Sequence, residues 1–146
     1  MKSLSTQLAI LLSGIMACLL LAGCGDGRPT LVPVSGKVMI DGQPLKKGYI
    51  RVLPVDARSS GSSVENGAFT LGTYEPGDGC VTGKHKVEVV ASEPTGDGGT
   101  RWLAPKKYAN VETAELNVTI DGPTRDLIVD LKWDGGKPFV ETGTKE

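Results

Sequence analysis

The chain has one histidine, His85, and three cysteines among 146 residues, and aromatic rings make up only 5% of its side chains. With a single histidine, a Ser-His-Asp relay must run through His85 or not exist. His85 and Cys80, five residues apart, also fall short of the three or four ligands that a zinc site takes. Neither sign of charge dominates: 16 Lys and Arg face 17 Asp and Glu, so nothing draws the chain electrostatically to nucleic acid. No uninterrupted apolar run reaches the roughly 20 residues needed to span hydrocarbon. Beyond residue 23, no segment keeps a 3.6-residue apolar period for three turns, which argues against a helical domain. Glu75, Asp78 and Asp97 lack the spacing of an EF-hand loop and read as solvated turns. No metal and no cofactor are expected.

What is present begins with a leader. Lys2 supplies one positive charge, Leu8 to Leu21 an apolar core interrupted by Ser13 and Gly14, and small residues follow. That is the layout of a secretory signal, expected as a signal-peptide helix over residues 1–23. Leu21, Ala22, Gly23 and Cys24 resemble a bacterial lipobox. The resemblance implies that the Cys24 thiol takes a diacylglycerol, that the chain is cut before it, and that the new amine is acylated. Several acyl chains make a lasting anchor, because each buried methylene contributes roughly 0.8 kcal/mol. Residues 24–31 then form a lipidated tether, whose Gly25 to Leu31 stretch spans roughly 20 Å at full extension. The expected location is the cell envelope, with the domain facing the periplasm or the exterior and the membrane held through lipid on Cys24. Cys18 leaves with the leader and Cys24 is consumed, so Cys80 stays unpaired. It either bonds a partner's thiol or packs as a small, half-buried residue.

The remaining pattern is β. Val32, Val34, Val38 and Ile40 alternate with Pro33, Lys37 and Met39, and Gly36 on the same parity marks a close approach of another element. Asp41 and Gly42 turn the chain into a strand over 48–55, with Ile50 and Val52 on one face and Tyr49, Arg51 and Leu53 on the other. The polar run 56–63 reads as a loop. Asn66-Gly67 predicts a type I′ hairpin joining 63–65 to 68–71, with Phe69 and Leu71 in the core. Residues 83–92 put His85, Val87, Val89 and Ala91 on one face of a central strand. Residues 93–113 carry no clean period and form a long connection. Leu116, Val118 and Ile120, then Leu127, Val129 and Leu131, complete the alternation. These features predict an all-β fold, a single antiparallel β-sandwich of about seven strands over residues 32–131. Residues 132–146, polar apart from Trp133 and Phe139, read as a flexible tail.

The order of these pieces resembles the carboxypeptidase regulatory-like domain. The resemblance rests on Gly36 and Val38; on Asp41, Gly42, Pro44, Leu45 and Gly48; on Gly67 and Phe69; and on Pro76 and Gly77 before His85, Val87 and Val89. It covers about residues 34–91. Two departures stand out: the hairpin has Asn66 where Asp is common, and residues 79–83 are inserted before a strand in which His85 takes a slot usually held by Tyr. The longer pattern, including Pro105 to Tyr108, looks like that of small bacterial lipoproteins. The resemblance implies a transthyretin-like Greek-key topology and no catalytic residues. Trp102, Lys106, Lys107 and Tyr108, on the long connection, are the candidate surface-recognition residues for an envelope protein or a glycan. The expected activity is binding or structural rather than enzymatic. The alternative is a hydrolase similar to transthyretin-related hydroxyisourate hydrolases, which rely on N-terminal histidines and a Tyr-Arg-Gly-Ser terminus, whereas this chain ends Gly143, Thr144, Lys145, Glu146.

Overall fold

The computed structural model describes residues 27–142. They form an all-β fold with one long sheet, one small sheet and a short helical connection. The first half comprises β1 (Val34–Ile40), β2 (Gln43–Pro44), β3 (Lys47–Pro54), β4 (Ser60–Glu65) and β5 (Ala68–Thr70). The second comprises β6 (Gly83–Val90), β7 (Ser92–Pro94), β8 (Thr100–Trp102), β9 (Leu116–Ile120), β10 (Thr124–Leu131) and β11 (Phe139–Glu141). A 3-10 turn (Lys106–Ala109) and α1 (Val111–Ala114) separate β8 from β9.

The long sheet is ordered β10-β1-β5-β4-β3-β6-β9, with β2 added beside β1. Its turns follow local chemistry. Asp41 and Gly42 both take positive φ, 47° and 77°, as do Asn66 and Gly67, 49° and 82°. Two consecutive left-handed residues match the right-handed twist of paired strands, which is why Asp-Gly and Asn-Gly favour tight hairpins. Gly36 meets the expected neighbour: a Cβ there would strike the main-chain carbonyl of Leu127 on β10.

Chain length shows that this sheet must curl. Flat, seven strands would separate β10 from β9 by about 29 Å. Yet residues 121–123 alone join Ile120 to Thr124, a reach of at most about 14 Å. The core agrees, because Val38 and Val129 from one end of the path share a single cluster with Ile50, Val52, Val87 and Ile120 from the other. Burial of each such side chain contributes about 1.5–3 kcal/mol.

The strands differ from expectation in four places. First, β10 runs parallel to β1, so the sheet is not purely antiparallel, because the chain crosses from one end of the path to the other after β9. Second, β4 begins at Ser60, inside the polar run read as a loop. Its backbone pairs with β3 from Ser60 to Glu65, and the buried Ser60 hydroxyl is satisfied by Thr73 at 2.7 Å. Third, residues 93–113 hold β7, β8, the 3-10 turn and the start of α1. Fourth, Phe139–Glu141 of the supposed tail pairs with β8, completing a small sheet ordered β11-β8-β7. Among the described residues this makes eleven strands, several very short, rather than about seven.

Strand direction gives the domain two ends. β1, β6 and β10 all run away from the entering chain. The small sheet follows the ends of β6 and β10, so it sits at the end opposite Val34, about 20 Å away along the strands.

Candidate functional site

The sequence-predicted residues Trp102, Lys106, Lys107 and Tyr108 are brought together at this far end. Of the two readings the sequence left open, exposed stacking rings or rings folded back over the open end of the sandwich, the rings take the second position: Trp102 is 9% exposed and Tyr108 6%. The reason lies in the connection itself. By forming a hairpin and a helical turn, it satisfies its own backbone and turns its apolar side onto the open end of the core, where Ala104, Tyr108 and Ala114 join the buried cluster. The Tyr108 hydroxyl accepts the Lys132 N–H at 3.1 Å, tying the turn to the end of β10. Asn110 caps α1 through its side chain, accepting the Glu112 N–H at 2.9 Å.

The lysines lie over these rings. Lys106 Nζ is 5.6 Å from the Trp102 ring centre and Lys107 Nζ 4.9 Å from that of Tyr108, within cation–π range. Lys106 also donates to both carboxylate oxygens of Glu141, at 2.8 and 3.0 Å, while the Trp102 indole N–H donates to Glu141 at 3.1 Å. Lys106 first, and Trp102 second, hold the Glu141 carboxyl below its ordinary range. Lys107 bonds Asp134 at 2.7 Å, lowering the Asp134 pKa and raising its own. Phe139 stacks on Trp102 with ring centres 6.5 Å apart. Glu141, Asp134 and Phe139 were missed from sequence, although Asp134-Gly135 is the same turn dipeptide as Asp41-Gly42 and takes the same positive φ pair.

At the opposite end, the acidic residues are engaged internally. The Asp78 carboxylate accepts three main-chain N–H bonds, from Thr73 at 2.6 Å and from Tyr74 and Glu75 at 3.0 Å. Partial desolvation raises its pKa, but these donors and the Arg28 charge together outweigh it and leave the carboxyl below its ordinary value. Back in the small sheet, the Asp97 carboxyl lies in the β7–β8 turn and is held down chiefly by the Thr95 hydroxyl. Among the described residues no group of three or more His, Cys, Asp or Glu is placed to hold a metal ion.

Cys80 is fully buried, paired through its backbone with Val32, and burial pushes its thiol up to about 11. Thiol exchange needs an accessible thiolate, so of the two alternatives for Cys80 its burial favours a packed core thiol over a mixed disulfide. His85 is 2% exposed on the valine face of β6, and neither ring nitrogen has a hydrogen-bond partner among the described residues. Burial lowers its pKa, and the nearby Val81 main chain opposes this without overcoming it. No hydroxyl or carboxylate orients the ring as a relay would require.

Leu21, Ala22, Gly23 and Cys24 lie outside the described residues, as does the whole expected leader. Among the described residues no helix is long and apolar enough to cross a membrane. Comparisons with protein-family models, curated proteins and solved structures find no match for this chain.

Proposed function

We propose that this protein is a cell-envelope lipoprotein, held to a membrane by acyl chains on Cys24, whose β-domain is a non-catalytic binding or structural module. The observation that carries the reading is Leu21-Ala22-Gly23-Cys24 at the end of an apolar segment preceded by Lys2. The domain is read as a transthyretin-like Greek-key sandwich of the carboxypeptidase regulatory-like type. That reading is supported by the order of the Gly36, Asp41-Gly42, Pro44-Leu45 and Asn66-Gly67 features and by the curl of the long sheet around one core. The non-catalytic reading is supported by the burial of the single histidine away from any hydroxyl or carboxylate partner. With the anchor at the Val34 end, the small sheet stands about 20 Å farther out along the strands, where an envelope protein or a glycan meets it.

Metabolic labelling with an alkyne analogue of palmitate, followed by mass spectrometry of the N-terminal peptide, tests the anchor. The expected product starts at Cys24 and carries lipid, and Cys24→Ala abolishes the label. An unmodified Cys24, or a mature chain starting elsewhere, overturns the reading.

A further inference from the structure

A groove of about 470 Å³ runs along the outer face of β3 and β4 and reaches the 73–76 loop at the Val34 end. Its volume falls within the roughly 300–1,000 Å³ of small-ligand sites. The floor is bare backbone: Gly61 and Gly72 form an isolated antiparallel bridge, hydrogen-bonded both ways at 2.9 and 3.1 Å. At Gly72 backbone blocks a side chain, whereas at Gly61 a side chain would have to displace the Tyr49 ring. A Cβ on Gly61 would strike the Tyr49 ring, and one on Gly72 the Glu75 carbonyl.

The clash at Gly61 fixes how Tyr49 lies. Tyr49 faces Ser63 across the β3–β4 pair, and Gly61 is two residues farther along. To bring its hydroxyl end over Gly61, the ring must cross β4 diagonally and lie down against the sheet. It is nevertheless 47% exposed, so its outer face looks into solvent. Around it, the hydroxyls of Tyr49, Ser63 and Thr70 make no hydrogen bond to other described residues, whereas Ser62 is engaged by the Thr70 N–H at 3.2 Å. Tyr74 forms a wall, its ring faced by the Arg28 and Arg58 guanidiniums at 4.6 and 5.4 Å.

A flat aromatic face ringed by hydroxyls selects the chemistry of its occupant. A purely apolar ligand would strip water from these hydroxyls without replacing its bonds. A pyranose with equatorial hydroxyls has an apolar C–H face for the ring and donors and acceptors at its rim. We propose that this groove binds a neutral oligosaccharide built of such pyranoses, one sugar stacking on Tyr49 and its hydroxyls bonding Ser63 and Thr70. The inference deepens the binding-module reading and rests on it.

The test uses the full chain, purified in a detergent without a sugar headgroup and titrated with cellotetraose and with chitotetraose while backbone amide NMR shifts are followed. With at least one of the sugars, saturable shifts are expected at residues 49, 61–63 and 70–76. Tyr49→Ala should weaken binding about tenfold, Ser63→Ala should weaken it less, and Tyr49→Phe should stay within a few-fold because it keeps the stacking face. Thermal melts check that each variant is folded; should Tyr49→Ala fail to fold, Ser63→Ala and Gly61→Ala, which lifts the ring, carry the test. No saturable shift with either sugar, or unchanged affinity in these variants, overturns the assignment. Neither outcome touches the lipid anchor, which palmitate labelling reads separately.

Discussion

The long sheet and the small sheet are built from the same kinds of short strand but are held by different forces. In the long sheet, side chains such as Leu71, Val38 and Val87 are wholly buried, and stability comes from apolar packing on both sides of the curl. In the small sheet, Phe139, Val140 and Glu141 are all exposed. Its cohesion rests on backbone pairing, the Trp102–Phe139 stack and the bonds of Lys106 and Trp102 to Glu141. Exposed ion pairs contribute little individually, because water and salt screen them. The two regions should therefore separate in stability, the small sheet opening locally while the long sheet stays folded.

The largest expected effect is in the curled core. Leu71→Ala should cost about 2–5 kcal/mol by urea denaturation, and a cost no greater than that of Phe139→Ala would break the contrast between the regions. Next come two glycines. Gly36→Ala forces a Cβ against the Leu127 carbonyl where β1 meets β10, whereas Gly122→Ala meets open space. The first should destabilise by about 1–3 kcal/mol and the second should be close to neutral; equal effects would mean that the parallel pairing is not tightly constrained.

His85 sharpens the comparison through pH. Its folded pKa lies below the ordinary value of 6.5, so above that pH the ring is neutral in both states and exerts no pH effect. As pH falls below 6.5, the unfolded chain binds the proton first, and stability declines until the folded pKa is reached. His85→Phe should flatten this part of a stability-versus-pH curve, and an unchanged slope would place the effect elsewhere. The smallest expected effect belongs to Glu141→Ala. The global melting midpoint should hold, while amide exchange in β8 and β11 accelerates; equal acceleration in β3 and β6 would show that the two sheets unfold together.

Much of the core was legible because alternation has a period of two and a buried face demands apolar residues at every second position. Val34, Val38, Ile50, Val52, Val87, Val89 and Val129 were all readable on this ground. The Asp41-Gly42 and Asn66-Gly67 turns were readable because their conformations are local. The same dipeptide at Asp97-Gly98 was legible in principle, but the strands flanking it, β7 and β8, are three residues long and too short to show alternation; after Asp134-Gly135 the three residues of β11 are likewise too few. β4 was hidden for a related reason: Ser60 to Ser63 owe their strand conformation to β3 rather than to their side chains. At the candidate sites, Lys106 and Lys107 were named from sequence, but their partners Glu141 and Asp134 lie 35 and 27 residues away.

By itself, the sequence determined the all-β class, the tight turns and the inward face of each longer strand, because each depends on neighbours within a few residues. Tertiary structure alone decided that β10 lies parallel to β1, that Trp102 and Tyr108 turn inward, that Cys80 is sealed, and that Tyr49 lies across Gly61. Those outcomes depend on which strands meet, and the pairing partners of a strand are set by the closure of the whole core rather than by its own residues.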